Sequence, residues 1–205
     1  MPSIYGLKPR FQNVLRPITR ELARVGVTAN QATLAALLLS FATGTFLFCS
    51  RASRSLLLLP GVLLVRMALN AMDGMLAREY NQKSSLGAIL NELGDVFSDT
   101  ALYLPLAVVP GFDSRLVVLI TLLAAISEMT GVLGLEIGAS RRYDGPMGKS
   151  DRAFAFGVLG LLLGLDLPIV PFVPYVLWLM LALLLSTIVN RARGALKESR
   201  GSTSR

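Results

Sequence analysis

The 205-residue chain contains no histidine and only one cysteine, Cys49. The missing histidine excludes a Ser-His-Asp triad, a Cys-His dyad, a histidine general base and any histidine-ligated zinc site. A single cysteine excludes an internal disulfide bond and every metal site that needs several thiolates. Any chemistry that this protein performs must therefore use carboxylates, amides, hydroxyls and basic side chains.

Charged residues are also scarce, at 16% of the chain against about 25% in an average soluble domain. Apolar residues make up 53% of the chain, and the mean hydropathy is +0.60. We interpret six apolar blocks as helices that cross a hydrocarbon core of about 30 Å, the fifth being the shortest. The blocks cover residues 30–50, 55–78, 86–110, 115–139, 153–167 and 171–190. The sequence therefore predicts an all-α polytopic membrane protein with six transmembrane helices in a domain spanning residues 29–193.

The net charge of +7 raises the question of a nucleic-acid partner, which the distribution of lysine and arginine answers. Sixteen of the 20 basic residues lie in the N-terminal segment, the second loop, the fourth loop and the C-terminal tail. Arg51, Arg54 and Arg115 lie on the opposite side of the predicted membrane, and Arg66 lies within the second span. This asymmetry follows the positive-inside rule, predicts that both termini are cytoplasmic, and disfavours a nucleic-acid interface.

The two ends of the chain are more polar than the predicted spans. Residues 1–28 carry apolar residues at helical spacing and a separate row of three arginines, Arg16, Arg20 and Arg24. This pattern predicts a cytoplasmic amphipathic helix that precedes the first span and lies on the membrane surface. Residues 194–205 are rich in lysine, arginine, serine and glycine, which predicts a disordered basic tail.

Two predicted spans carry polar residues at helical spacing. Asn70 and Asp73 are three residues apart in the second span. In the third span, Asn91, Asp95 and Asp99 follow each other at four-residue steps. Each set shares one helix face, and the short loop between the spans makes the two helices antiparallel neighbours. Because ionisable residues are costly inside a membrane, these facing rows of oxygen atoms indicate a functional site, and Mg²⁺ is a cation that suits such ligands.

Three further charged residues lie inside predicted spans, namely Arg66, Glu128 and Glu136. For them a functional role and a structural role, as interhelical hydrogen bonds or a buried arginine–carboxylate pair, stay equally open. Polar residues in spans also mark ion paths, which leaves a small transporter or channel as an alternative. Against a transporter, the polar rows cluster at the cytoplasmic ends of the second and third spans instead of crossing the bilayer.

The segment from Asn70 to Asp95 resembles the signature of the CDP-alcohol phosphotransferase family, D-x2-D-G-x2-A-R-x8-G-x3-D-x3-D. The spacing is the same throughout, and the six-span layout extends the resemblance to most of the chain. The matching residues are Asp73, Gly74, Ala77, Arg78, Gly87 and Asp95. The chain departs from the signature at the first and third aspartates, which are Asn70 and Asn91 here.

The resemblance implies a membrane transferase that moves a substituted phosphate from a CDP-alcohol to a hydroxyl group and releases CMP. It implies CDP-diacylglycerol as the donor, phospholipid biosynthesis as the process, and the bacterial inner membrane as the location. The cofactor that it implies is Mg²⁺ or Mn²⁺, as one or two ions. Homodimers are common in the family, so a homodimer is a further expectation, although Gly131 and Gly134 on the fourth span suit packing within one chain equally well.

The family's nucleotide pocket maps onto two segments of this chain. One is the signature, and the other, residues 27–33, resembles the family's T-P-N-x-x-T motif with Ala29 in the proline position. The expected CDP-binding residues are Thr28, Asn30, Asp73, Gly74, Ala77, Arg78 and Gly87. For Thr28 and Asn30 an ordinary helix N-cap is an equally good interpretation, and the two roles are compatible.

The expected metal ligands are Asn70, Asp73, Asn91 and Asp95. Asp95 is also the expected general base. The two amides bind a cation through oxygen without adding charge, so the site holds either one ion or a second ion that needs the negative charge of the diphosphate. Glu92 and Asp99 are candidate auxiliary carboxylates. We favour a transferase with altered metal demand over a family member that has lost activity and acts as a lipid-binding or scaffold protein.

The fourth loop offers basic residues for an acceptor. Gly148 and Lys149 resemble a glycine–lysine pair found before the fifth span in family members that use phosphorylated acceptors. Because arginine and lysine bind phosphate oxygens well, the expected acceptor is a polyol or a polyol phosphate. The candidate acceptor-binding residues are Arg141, Arg142, Lys149 and Arg152. Membrane topology and attraction to anionic lipid headgroups explain these charges at least as well.

Overall fold

The computed structural model describes residues 8–203, and within this range the chain is helical and has no β-strand. The predicted all-α class is therefore confirmed. The seven α-helices of this range are α1 (Lys8–Arg24), α2 (Ala29–Ser50), α3 (Leu58–Glu79), α4 (Ser85–Tyr103), α5 (Ser114–Glu136), α6 (Lys149–Gly164) and α7 (Val173–Thr203). Short 3₁₀ turns lie at Ser53–Leu57, Leu104–Val108 and Val170–Phe172. Residues 1–7 of the predicted amphipathic segment and residues 204–205 of the predicted tail lie outside the described range.

Four helical segments are long and apolar enough to cross a membrane by length and composition. They are Ala29–Ser50, Ser53–Glu79, Ser114–Glu136 and Val170–Gly201. The helices α4 and α6 fall short, because α4 carries three carboxylates within 19 residues and α6 has only 16 residues. Both of these helices carry predicted site residues, and their crossing of the membrane stays a prediction.

The described helices form a bundle with two different ends. At the apolar end, Leu59, Tyr103 and Phe156 belong to one buried cluster, in which the two aromatic rings stack with centroids 4.5 Å apart. At the charged end, α3 and α5 finish while α2, α4 and α6 begin. Buried charged side chains concentrate there, and they are Arg66, Asp73, Asp99, Glu128, Arg152 and Arg191. The predicted site residues therefore belong to the charged end.

The helix α1 packs against α3. Leu15 and Thr19 are buried, and the Thr19 hydroxyl lies 3.9 Å from the sulfur of Met75 on α3. Val14 and Ile18, on another side of α1, are exposed. The structure thus gives a helix with one side docked on α3, and the membrane-surface location of its exposed apolar side stays a prediction.

The last helix is longer than the sequence predicted. α7 continues to Thr203, and its C-terminal part docks on the segment that follows α5. Glu198 accepts a hydrogen bond of 2.9 Å from the backbone N–H of Ser140, and the Ser199 hydroxyl donates to the carbonyl of Ile137 at 2.7 Å. The prediction of a disordered tail is therefore wrong for residues 194–203, because these polar side chains find partners in a distant loop.

Two glycines let the segment after α5 lie directly on that helix. A Cβ atom at Gly131 would lie 2.7 Å from the carbonyl oxygen of Arg142, and one at Gly134 would lie 2.8 Å from that of Ser140. The Arg142 N–H also donates to the carbonyl of Gly131 at 3.0 Å. Of the two uses open to these glycines, the structure shows packing within one chain.

Candidate active site

The signature residues of α3 and α4 face each other. The short loop 80–84 joins the two helices, and α4 begins with Ser84 as its N-cap, whose hydroxyl accepts from the N–H of Gly87 at 3.0 Å. The helices therefore run antiparallel, and the Asn70 amide donates to the Asp95 carboxylate, with 3.0 Å between Nδ2 and Oδ1. This contact joins the first position of the signature to its last.

A residue of α2 holds the signature aspartate of α3. Asp73 is buried, and its Oδ2 accepts a hydrogen bond of 2.9 Å from the hydroxyl of Thr33, which is also buried. Thr33 occupies the final threonine of the segment that resembles T-P-N-x-x-T, but it was absent from the predicted site residues. The sequence signal that could have identified Thr33 is its position at the end of this motif.

Two glycines bring the predicted CDP-binding residues together. A Cβ atom at Gly87 would lie 2.8 Å from the Asn30 side-chain oxygen. Asn30, on α2, therefore lies directly over the first turn of α4. A Cβ atom at Gly74 would lie 3.1 Å from the guanidinium of Arg78, which folds back over the last turns of α3. Ala77 packs beside the start of α2. These residues therefore line the place where the three helix ends meet.

Thr28 is the N-cap of α2. Its hydroxyl accepts from the N–H of Gln31 at 3.2 Å, and the Gln31 side chain accepts from the N–H of Thr28 at 2.9 Å, which completes a capping box. Gln82, from the loop before α4, accepts from the N–H of Ala29 at 2.7 Å. The structure thus shows the N-cap role of Thr28, while its nucleotide contact stays a prediction, and Gln82 was not anticipated.

Two of the four predicted acceptor residues pair with carboxylates of α4 and remain partly exposed. Lys149, the first residue of α6, forms an ion pair and hydrogen bond with Oδ1 of Asp95. Arg141 pairs with Glu92 at 2.6 Å and lies over the ring of Tyr143, 4.6 Å from its centroid. Partial burial lowers the pKa of Arg141, but Tyr143 and Glu92 raise it, with a net rise above the ordinary value. Arg141 is therefore a permanent cation beside α4.

Of the other two predicted acceptor residues, one is fully buried and one is paired within its own loop. Arg152 has no exposed surface, and its guanidinium pairs with Asp99 at 2.7 Å and with Glu128 at 3.0 Å. Arg142 pairs with Asp144 at 2.7 Å, and this hydrogen bond raises its pKa above the ordinary value. Arg152 is thus inaccessible to an acceptor, and Arg142 is committed to a contact at the loop surface.

The candidate auxiliary carboxylates are neutralised by arginines. Asp99 lies between Arg66, at 2.5 Å, and Arg152, while Glu92 pairs with Arg141. Arg66 also donates to the backbone carbonyl of Asp95 at 3.4 Å. Of the functional and structural roles left open for Arg66, the structure shows the structural one. Arg66 ties α3 to the turn of α4 that carries Asp95.

The same network extends to the last helix. Glu128 on α5 pairs with Arg152 and, at 3.4 Å, with Arg191 on α7, which also donates to the carbonyl of Ser127 at 2.6 Å. Glu128 therefore has the structural role that the sequence left open. Because buried ion pairs leave an uncompensated charge when one partner is removed, this network depends on each member.

The donor set at the signature is of a kind that suits a hard divalent cation. It offers the carboxylates of Asp73 and Asp95 and the amide oxygens of Asn70 and Asn91, which are ligands that Mg²⁺ and Mn²⁺ accept. Across residues 8–203, no group of three or more His, Cys, Asp and Glu side chains is placed to hold a metal ion. The signature contributes two carboxylates, those of Asp73 and Asp95, because Asn70 and Asn91 stand at its other two aspartate positions.

Comparison with known sequences places the chain in a family. A profile described as CDP-alcohol phosphatidyltransferase matches residues 26–192. The inner membrane protein YnbA of Escherichia coli (strain K12) is 48% identical over 195 residues, which cover 95% of this chain and 96% of YnbA. An uncharacterized protein of Aquifex aeolicus (strain VF5) is 32% identical over 123 residues, covering 60% of this chain and 61% of that protein.

Solved structures share the fold. Phosphatidylinositol phosphate synthase (PgsA1) of Mycobacterium tuberculosis with CDP-DAG bound has a TM-score of 0.69 at 21% identity, covering 91% of this chain and 94% of that chain. Its complex with manganese and citrate has a TM-score of 0.71 at 23% identity, covering 88% of each chain. The match over nearly the whole length of an inner membrane protein and the family profile confirm the membrane protein and the transferase expected from the signature. The chain belongs to the CDP-alcohol phosphatidyltransferase family.

Proposed function

We propose that this protein transfers a phosphatidyl group from CDP-diacylglycerol to an alcohol acceptor and releases CMP, as a step of phospholipid biosynthesis. The observation that carries the proposal is the contact between Asn70 and Asp95, which brings the two halves of the signature to one place. The solved complex of PgsA1 with CDP-DAG supports the choice of donor, since that protein has the same fold.

The nucleotide side of the site lies where α2 and α4 begin and α3 ends. Asn30 over Gly87 and Arg78 over Gly74 form the walls, and the glycines remove side chains where the ligand approaches. Arg78 is exposed, and its guanidinium is well suited to contact phosphate oxygens. The full set of proposed CDP-binding residues is Thr28, Asn30, Asp73, Gly74, Ala77, Arg78 and Gly87.

Asp95 is the proposed general base. Its carboxylate takes the proton from the acceptor hydroxyl, whose oxygen attacks the phosphorus on the lipid side of the diphosphate. The new P–O bond forms as the bond to CMP breaks, so the phosphatidyl group moves in one step. Asn70, Asp73, Asn91 and Asp95 would hold the divalent cation, which when bound offsets the negative charge of the diphosphate and of the departing CMP.

The acceptor is proposed to be a polyol or a polyol phosphate that approaches from the side of α6. Lys149 and Arg141 both pair with carboxylates of α4, and both remain partly exposed. Their cationic groups would bind the phosphate or hydroxyl groups of the acceptor beside Asp95. Arg142 and Arg152 are left out of this proposal because of their internal ion pairs.

The proposed location is the bacterial inner membrane, with six spans and both termini in the cytoplasm. The described helices support this layout, because α2, α4 and α6 begin at the charged end and α3, α5 and α7 return to it. The charged end would then face the cytoplasm, where the lysine and arginine residues concentrate.

The function is tested with purified protein and labelled CDP-diacylglycerol, with Mg²⁺ titrated and acceptors supplied one at a time. Glycerol phosphate, inositol phosphate, serine and phosphatidylglycerol form the panel. We expect Mg²⁺-dependent CMP release with a polyol or polyol phosphate, and its loss in Asp95→Ala. Release with serine alone would overturn the acceptor class. Binding of CDP-diacylglycerol without release for any acceptor would instead favour the lipid-binding alternative.

A further inference from the structure

Lys149 contacts the signature site directly, through Asp95. Its ammonium contacts Oδ1 of Asp95, and the two side chains are only 22% and 15% exposed. The same oxygen accepts the hydrogen bond from Asn70. One carboxylate oxygen of the site is thus engaged by a fixed positive charge and by an amide N–H of the chain itself.

The position of Lys149 is set by the turn that follows it. Lys149 and Arg152 are three residues apart on α6, and their partners Asp95 and Asp99 are four residues apart on α4. These spacings place each pair on one face of its helix, so the two ion pairs form in register. Because Arg152 is fully buried between carboxylates, the start of α6 is anchored, and Lys149 is held against Asp95.

Counted with Lys149, the fixed charges at the signature positions leave a net of one negative charge. Asp73 and Asp95 contribute two negative charges, Asn70 and Asn91 contribute none, and Lys149 adds one positive charge. A single divalent cation already exceeds the net negative charge that remains. A second one would have to share Asp95 with the Lys149 ammonium and would be repelled by it.

We propose that this site holds one divalent cation per chain, and that the Lys149 ammonium lies at Asp95 in place of a second one. Lys149 and the two asparagines then act together: the amides lack the charge that would attract a second ion, and the lysine occupies Asp95. This inference rests on the proposed function for the identity of the site, but the number of ions is measured without turnover.

The test counts Mn²⁺ bound to the full-length protein in detergent, by electron paramagnetic resonance of the free ion, with and without CDP. The unaltered protein is expected to bind one ion under both conditions. Lys149→Gln is expected to bind this ion about tenfold more tightly, because the ammonium no longer competes for Asp95. Lys149→Arg keeps the charge and is expected to match the unaltered protein.

The triple variant Asn70→Asp, Asn91→Asp, Lys149→Gln is expected to bind two ions. Lys197→Gln, an exposed lysine on α7, is the matched control and is expected to change nothing. Two ions, or none, on the unaltered protein would overturn the inference, as would unchanged affinity in a folded Lys149→Gln variant. If that variant does not fold, the ion count of the unaltered protein still decides the question.

The outcome is separable from that of the proposed function. One ion per chain without CMP release for any acceptor would leave the inference standing and remove the function. Two ions on a protein that releases CMP at full rate would overturn the inference and leave the proposed function standing.

Discussion

The apolar end and the charged end of the bundle hold their helices together in different ways. At the apolar end, side chains such as Leu59 and Phe156 make many small contacts, none of which requires one specific partner. At the charged end, Arg66, Asp99 and Arg152 each depend on named partners at 2.5–2.7 Å. Replacing one apolar residue by a similar one changes the stability little, whereas removing one charged side chain leaves its partner buried without a counter-ion.

The two ends also differ in what their side chains do, since one packs the helices and the other positions the signature residues. The buried cluster at the apolar end consists of aliphatic and aromatic side chains, which fix how the helices pack. The charged end uses its arginines to hold α4 in place, so that Asp95 can face Asn70 and Lys149. The comparison therefore predicts that single substitutions at the charged end have specific and large effects, and that those at the apolar end have graded ones.

The largest effect is expected for Asp95→Asn. The amide cannot take the proton of the acceptor hydroxyl, so CMP release is expected to fall by about 10²–10⁴-fold. Initial rates of CMP release from labelled CDP-diacylglycerol measure it. Asp113→Asn at the apolar end is the matched control, since Asp113 caps α5 and asparagine caps a helix equally well. Near-normal turnover in Asp95→Asn would remove this residue from the base role.

Arg152→Met is expected to lower the free energy of unfolding by about 3–5 kcal/mol, because it leaves Asp99 and Glu128 buried with less compensation. Chemical unfolding of the purified protein in detergent measures it. Arg193→Met, an exposed arginine on α7, serves as control and is expected to unfold like the unaltered protein. A cost equal to that of the control would show that the charged end does not depend on its individual pairs.

Gly87→Ala is expected to raise the KM for CDP-diacylglycerol about tenfold, which corresponds to about 1.4 kcal/mol. The added Cβ would lie 2.8 Å from the Asn30 oxygen and would displace this side chain from the nucleotide wall. Gly61→Ala on α3 is the control, because a Cβ atom there meets nothing within 4 Å. If both variants keep the same KM, then Asn30 is not part of the nucleotide wall.

Phe156→Leu is expected to have the smallest effect, a cost of less than about 1.5 kcal/mol in unfolding free energy with an unchanged rate of CMP release. Leucine keeps most of the apolar volume, although the stacking on Tyr103 is lost. Unfolding and turnover are measured beside Arg152→Met. If Phe156→Leu were as costly as that variant, the contrast between the two ends would not hold.

The proposed metal ligands could be found from spacing alone, and the arginine–carboxylate pairs beside them could not. Asn70 and Asp73 on one helix face, and Asn91 and Asp95 on another, follow from helical geometry over a short loop. Nothing in the spacing shows that Arg152 points into the bundle, because its partner Glu128 lies on a different helix. The sequence consequently predicted an acceptor contact for a residue that the fold buries.

The tail shows the same limit. Residues 194–205 are polar and lack the apolar blocks that indicated the spans, so the sequence predicted disorder. Glu198 and Ser199 find their partners in the segment after α5, which is distant in sequence. Gly131 and Gly134 of α5 can be read from the sequence, but tertiary packing decides which surface lies against them.

The sequence by itself determined the helical class, the family, and the residues that make up the signature, because periodicity and motif spacing are local properties of the chain. Only the tertiary structure decided that Lys149 pairs with Asp95, that Thr33 donates a hydrogen bond to Asp73, and that Arg152 is buried in the interior. Such contacts depend on the depth and rotation of helices far apart in the chain. These are set by the packing of the whole bundle and by no single segment of the sequence.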